Sequence, residues 1–355
     1  MKGLVLAGGA GTRLRPITHT SAKQLVPIGN RPVLDFGLEA IAEAGITEVG
    51  IIVGETHREV RSHVGDGSRF GLQVTYIRQW EPLGLAHAVL VACDFLGDDD
   101  FVMYLGDNLV TSGISEFVRQ FRTAAPAAQV MLAKVSNPEQ FGVAVLDAES
   151  SVVRLLEKPE NPPSDLALVG VYVFSSAILD AARAITPAPR GELEITDAIQ
   201  WLIDRGHRVG SHVVSTGWWK DTGRLEDLLD ANRIVLDALS PRSDGLMRGD
   251  SGTKGRVVVE RGVELVDSFV RGPAIIGRGT RLVRTFIGPY TSIAGDCEIV
   301  DSTIEHSVIL EGSVICGVER LEDSLLGKQA RVSRGNRRPR AYRLMLGDHS
   351  QADLP

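Results

Sequence analysis

The first 239 residues alternate between short apolar runs and stretches with helical spacing of apolar positions. Gly3 to Ala7 is an uninterrupted apolar run, which predicts a strand covered on both faces. Pro32 to Ala44 places Val33, Leu34, Leu38, Ile41 and Ala42 on one helical face, and Gly45 suits the residue that ends such a helix. Glu48 to Val53 predicts a strand, His57 to Val64 a helix, Gln73 to Gln79 a strand and Leu85 to Phe95 a helix. Phe101 to Leu105 predicts a further strand, followed by a helix over Ser115 to Ala124 and a strand over Val130 to Val135. This rhythm predicts an α/β fold with a Rossmann-like mixed, mostly parallel sheet flanked by helices.

The pattern then changes. Phe141 to Val145 and Val152 to Leu156 read as a hairpin around residues 147–151, and Leu166 to Phe174 as a longer strand. Antiparallel strands added late to a parallel sheet predict a second half laid over the first. A helix carrying Ile199, Leu202 and Ile203, a strand from Val209 to Ser215, and an amphipathic helix from Leu225 to Leu239 close this domain.

Beyond residue 255 a different period takes over. Apolar residues recur every five or six positions from Val259 to Val332, and three steps make a coil of about 17 residues. Val259, Ile276, Ile293, Ile309 and Leu326 therefore stack coil on coil. Neither an α-helix nor an alternating strand has this period. It fits a triangular left-handed parallel β-helix with one inward residue per face, and resembles hexapeptide-repeat domains. The expected organisation is residues 1–239 as one domain, 240–255 as a Gly/Ser/Asp-rich linker, 256–334 as the β-helix domain, and 335–355 as a basic tail.

Chemistry concentrates at the N-terminus. After the first strand, Gly8, Gly9 and Gly11 free the backbone N–H groups to turn towards an anion. Arg13, Arg15 and Lys23 follow within the next dozen positions, so the stretch reads as a polyphosphate cradle. It is not a Walker loop, because Thr12-Arg13 stands where Lys-Ser/Thr is needed, nor a dinucleotide fingerprint, because Leu14 replaces the third glycine. Asp107 follows the strand ending at Leu105, at the end where open parallel sheets bind ligands. Asp221 follows a strand and precedes a helix, which leaves a helix-capping role open beside a chemical one. Glu194 reads as a helix cap or a sugar contact, with the cap favoured, and His87 as helix packing rather than catalysis.

Gly8-Gly9-Ala10-Gly11-Thr12-Arg13-Leu14-Arg15-Pro16 with Lys23-Gln24-Leu25-Val26-Pro27 resembles the signature of sugar-1-phosphate nucleotidylyltransferases, and the Lys-Gln-Leu form is most similar to glucose-1-phosphate thymidylyltransferases. Further matching motifs are Gln79 to Ala86, Leu105-Gly106-Asp107, Glu157-Lys158-Pro159 and Trp218 to Gly223. The resemblance implies nucleotide binding by Leu6, Gly8, Gly9, Gly11, Thr12, Arg13 and Gln24, with the base read by Gln79 and Gly84. It implies a sugar-phosphate site of Gly142, Glu157, Lys158 and Tyr172, with indoles at Trp218 and Trp219 walling the sugar. It also implies Mg2+ on Asp107 and Asp221, and catalysis by Arg13 and Lys23. The implied reaction joins dTTP and glucose 1-phosphate to give dTDP-glucose and pyrophosphate. Use of UTP or GTP, of another sugar phosphate, or binding without turnover are the rival readings.

The remaining composition excludes more than it adds. A net charge of −7 argues against a general nucleic-acid surface. Three scattered cysteines, Cys93, Cys297 and Cys316, offer no disulfide framework and no zinc spacing, which fits a reducing cytoplasm. No apolar stretch approaches membrane-spanning length, so no membrane partner is expected. His306 is the one histidine inside the repeats; acyl transfer there is the lesser reading, and assembly or regulation is the favoured use of the β-helix. A homo-oligomer is expected.

Overall fold

The computed structural model describes residues 1–9, 11–19, 21–214 and 219–334. Its core is a nine-stranded sheet. Lys2–Ala7 lies at the centre, parallel to Phe101–Leu105 on one side and Glu48–Val53 on the other, with Gln73–Arg78 parallel at the edge. Leu166–Phe174 runs antiparallel to Phe101–Leu105 and also pairs with Ala128–Lys134, whose far side carries the parallel strand Val209–Val214. The hairpin Gly142–Leu146 and Val152–Glu157 completes the sheet.

The apolar run in the first strand has a direct structural reading. Leu4 and Leu6 enter one core, together with Val89 and Ile199 from the helices Leu85–Val91 and Ile195–Asp204. Val5 and Ala7 enter a second core, with Leu38 and Phe121 from Val33–Glu43 and Ser115–Ala124. Successive side chains of a strand point to opposite faces, so a sheet with helices on both sides requires apolar residues at every position. The helix expected over Leu85 to Phe95 breaks at Ala92 into Leu85–Val91 and Cys93–Leu96.

The C-terminal part is a β-helix of three parallel sheets, left-handed as the repeat predicts. Val259, Ile276, Ile293, Ile309 and Leu326 stand in register on one sheet, and Leu265, Leu282, Ile299, Ile315 and Val332 on a second. Their side chains form one continuous interior. Residues 240–255, expected as a linker, are corrected. Arg242–Ser243, Leu246–Arg248 and Gly252–Lys254 pair in parallel with the next coil, so this stretch is itself the first coil. Its polar composition hid this, because an end coil has an exposed edge and Leu246 is 61% exposed. The basic tail 335–355 lies outside the described residues.

The β-helix packs directly on the first domain. Val308 and Leu310 share an apolar cluster with Val26, Ile28 and Leu228. Asn232, fully buried on the helix Leu225–Asp237, ties the two parts together. Its Oδ1 accepts from the Gly29 N–H (2.8 Å) and the Ser292 hydroxyl (2.6 Å), and its Nδ2 donates to the Tyr290 carbonyl (3.2 Å).

Candidate active site

Gly8, Gly54, Gln79 and Gly106 follow the carboxyl ends of four neighbouring parallel strands, and so line one edge of the sheet. There is little room between them. A Cβ on Gly54 would lie 2.7 Å from the Gly8 carbonyl oxygen, and one on Gly106 3.0 Å from that of Leu6. Gly11 adopts φ 61° and opens the short 3-10 turn Thr12–Leu14. A side chain there would meet Lys23 Cβ and Thr18 Cγ2 at 2.9 Å, so glycine lets the cradle close over Lys23. A later 3-10 turn, Lys23–Leu25, is held from a distance by Glu59, whose carboxylate accepts the Ala22 N–H at 2.8 Å. No sequence signal marks Glu59, because it acts across 37 positions.

Asp107 and Asp221 meet. Trp219–Asp221 pairs antiparallel with Asn108–Val110, and Thr222 donates both its N–H (3.0 Å) and its hydroxyl (2.8 Å) to the Asp107 carbonyl. The Lys23 ammonium forms an ion pair with Asp107 and lies 3.9 Å from Asp221 Oδ1. That oxygen is buried and has no hydrogen-bond partner. Burial raises the Asp221 carboxyl above the ordinary range and the negative Asp107 adds to this, while Lys23 and Arg13 oppose it. Arg13 reaches the same point: a Cβ on Gly223 would meet its guanidinium at 3.0 Å and Asp221 Oδ1 at 3.1 Å. The helix-capping role left open for Asp221 is not used. The N-cap of Leu225–Asp237 is Arg224, and no side chain caps it.

The second constellation surrounds Glu157. Its carboxylate accepts from Thr196 Oγ1 (3.3 Å) and Arg190 (3.3 Å), and Lys158 Nζ stands 3.2 Å away. Gly142 lies against it, since a Cβ there would sit 3.2 Å from Glu157 Oε2. Tyr172 is buried and stacks on Phe174, and its hydroxyl is held well above its ordinary pKa by burial and by Glu157. Glu194 occupies the N-cap position of Ile195–Asp204, but its carboxylate does not cap the helix. It accepts instead from Arg190 at 2.6 Å. Arg190, which pattern reading missed, thus joins Glu157 to Glu194.

One cavity of about 1400 Å³ contains both constellations. Thr12, Arg13, Asp107 and Asp221 line one part, and Gly142, Glu157, Lys158 and Tyr172 the other. Trp219 lines the cavity and packs edge-on against Phe141 at 5.5 Å, while Trp218 lies outside the described residues. Leu6, Gly8, Gly9, Gly11, Lys23, Gln24, Gln79 and Gly84 are not in the cavity lining; Gly8 and Gln79 directly follow strands, and Lys23 reaches Asp107 of the lining from its 3-10 turn. Gln24 is buried with Oε1 unpartnered, and its Nε2 lies 3.6 Å from where a Cβ on Gly9 would be. The arrangement offers a cationic and acidic mouth for phosphates beside a polar, aromatic-walled recess for a hydroxylated ligand.

The chain is similar to known proteins along its whole length. Residues 2–238 match the Nucleotidyl transferase family. A glucose-1-phosphate thymidylyltransferase of Streptomyces griseus is 58% identical over 354 residues, covering 100% of this chain and 99% of the relative. The low-salt glycan biosynthesis nucleotidyltransferase Agl11 of Haloferax volcanii is 50% identical over 358 residues, covering 100% of both chains. Among solved structures, UDP-glucose pyrophosphorylase with UDP-glucose superposes with a TM-score of 0.60 at 24% identity, over 66% of this chain and 98% of its own, a likeness of fold. The chain belongs to the nucleotidyl transferase family, with glucose-1-phosphate thymidylyltransferases as full-length relatives.

Proposed function

We propose that the protein transfers a thymidylyl group from dTTP to glucose 1-phosphate, giving dTDP-glucose and pyrophosphate. The observation that carries this reading is that Arg13, Asp107 and Asp221 line one part of a cavity that also holds Glu157 and Lys158, with the Lys23 ammonium paired to Asp107. The full-length relatives that bear this activity support the choice of substrates.

In the reaction, a sugar phosphate oxygen bonds to the α-phosphorus while the bond from that phosphorus to the bridging oxygen breaks. The attacking oxygen is already ionised at neutral pH, so no general base is needed. The protein must instead hold two anions together and offset the charge that builds on the departing pyrophosphate. Gly8, Gly9, Gly11, Thr12 and Gln24 form the nucleotide cradle with Leu6, and Gln79 and Gly84 receive the base. Arg13 offsets the leaving group, and Lys23 offsets the phosphate at the transfer point. Lys158 seats the sugar phosphate, and Gly142, Glu157 and Tyr172 orient the sugar.

A divalent cation fits the acids present. Asp221 offers a buried oxygen with no protein partner beside the Asp107 carboxylate. Mg2+ takes one or two carboxylates with water and substrate phosphates, a ligand set these two acids can begin. Asp107 and Asp221 would hold the Mg2+, which would supply neutralisation of phosphate charge.

The test is pyrophosphate release by the full chain with dTTP, UTP or GTP against a panel of sugar 1-phosphates, with and without Mg2+. The reading expects release to be fastest with dTTP and glucose 1-phosphate and to require the metal. Binding of nucleotide without release would make the protein a sensor instead. Among the described residues no helix is long and apolar enough to cross a membrane.

A further inference from the structure

Gln79 makes two contacts that together decide which way its amide faces. Its Nε2 lies 3.2 Å from the Gly84 carbonyl oxygen and 3.0 Å from His87 Nδ1. A carbonyl oxygen only accepts, so the atom facing Gly84 must be the amide nitrogen. Both its hydrogens are then engaged, one by Gly84 and one by His87. His87 Nδ1 must therefore carry no proton, which places the ring hydrogen on Nε2. The amide oxygen is left free and points the other way. A Cβ built on Gly8 would stand 3.7 Å from Gln79 Oε1, so the free acceptor faces the glycine cradle.

The geometry around the pair is rigid. Gly84 has φ 103° and is pressed against the chain at Leu193, where a Cβ would lie 2.4 Å from the carbonyl oxygen. Leu193 N donates to Leu83 O at 2.8 Å, and Ala86 N to Leu193 O at 3.0 Å. His87 lies in the first turn of Leu85–Val91, half-buried. Neither partner of the amide can drift far from it.

We propose that His87 is a specificity-determining positioning residue: it holds the Gln79 amide with its oxygen towards the nucleotide, so that the site selects bases with an N–H between two carbonyls. This inference rests on the reading above, in which Gln79 meets the base. Thymine and uracil carry such an N–H at N3. Cytosine carries a bare nitrogen there, which would face the amide oxygen lone pair to lone pair. Without His87 one amide hydrogen loses its partner and the Gly84 carbonyl alone holds the amide, so its oxygen is aimed less tightly and the rejection of cytosine weakens. His87 is thus more than the helix-packing residue its sequence position predicts.

The test measures kcat and KM of the full chain with dTTP, UTP and dCTP at saturating glucose 1-phosphate for wild type, H87F, H87N and Q79L. H87F keeps a ring but has no acceptor at the Nδ1 position. H87N restores an acceptor, since Asn Oδ1 sits where His Nδ1 does. H87F should raise the KM for dTTP and UTP alike and lower the dTTP to dCTP preference about tenfold, or ~1.4 kcal/mol. The dTTP to UTP ratio should stay fixed, because both bases carry the same N–H. H87N should recover most of the preference. Wild-type preference in H87F, or an H87N no better than H87F, would overturn the role of His87. Unchanged preference in Q79L would remove Gln79 from the base and the proposal with it. A wild type that turns over none of these nucleotides would sink the transferase reading itself.

Discussion

The Lys23 ammonium lies 3.9 Å from Asp221 Oδ1, a buried oxygen with no hydrogen-bond partner among the described residues. The two residues come from opposite ends of the first domain: the short ladder between Trp219–Asp221 and Asn108–Val110 sets Asp221 beside Asp107, with which Lys23 pairs. Replacing Asp221 with Asn keeps the shape and removes the charge. The Mg2+ concentration for half-maximal turnover should rise at least ~10–100-fold, the range for loss of even an outer partner of a metal ligand. A titration of activity against Mg2+ checks this, and an unshifted curve would take Asp221 out of metal binding.

Arg13 is exposed at the cavity mouth and close to Asp221. Its proposed task exists only while pyrophosphate leaves. Arg13→Ala should therefore lower kcat on the order of 10³-fold, by analogy with other arginines that stabilise transferring phosphates. Single-turnover measurements separate this from slower product release, and a chemical step of normal speed would assign Arg13 elsewhere.

Lys158 sits beside Glu157 in a left-handed backbone conformation, with φ 43°. Its backbone N–H donates to the Phe141 carbonyl at 3.0 Å, and its ammonium lies 3.2 Å from Glu157 Oε1. Lys158→Ala should raise the KM for glucose 1-phosphate on the order of 10–100-fold, as loss of a charged hydrogen bond implies, and leave the KM for dTTP little changed. Equal effects on both substrates would count against a dedicated sugar-phosphate contact.

Burial pushes the His212 imidazole below its ordinary pKa, with Glu116 partly opposing this. Its Nδ1 faces Gln120 Oε1 at 3.0 Å, and its ring packs against Phe117. As pH falls through about 6.5, the unfolded chain takes up a proton that the folded chain does not. Stability must then decline with falling pH until the folded value is passed. Urea midpoints measured from pH 7 to pH 5 should decline less steeply in His212→Gln than in wild type. Parallel curves would show that His212 contributes nothing to acid sensitivity.

Asn232 satisfies three groups at the junction with the β-helix. Asn232→Ala leaves the Gly29 N–H and the Tyr290 carbonyl buried without that partner. The expected loss is about 1–3 kcal/mol, read from the urea midpoint. A change within error would show that water replaces the amide at no cost.

Much of this architecture is legible in the chain, and the exceptions have physical causes. The repeat at Val259, Ile276 and Ile293 is readable because one apolar residue per face is the only way to fill a triangular interior. The central strand is readable because both faces of Lys2–Ala7 need apolar side chains. The first coil at Arg242–Lys254 is not, since it needs little burial on its outer edge and reads as loop. Within the site, the approach of Lys23 to Asp107 and Asp221 could be expected only through the resemblance. Arg190 and Glu59 were invisible, because their roles depend on partners that only the folded chain brings near.

The clamp on Gly29 has a mechanical consequence. The segment that carries Lys23 and Gln24 runs directly into Gly29 and Asn30, and Asn30 Nδ2 is itself anchored on the Ile293 carbonyl at 2.7 Å. The solenoid therefore serves as an external brace on the loop that carries Lys23 and Gln24. A shortened chain lacking it would keep every reacting group yet release the tether that keeps them at fixed spacing.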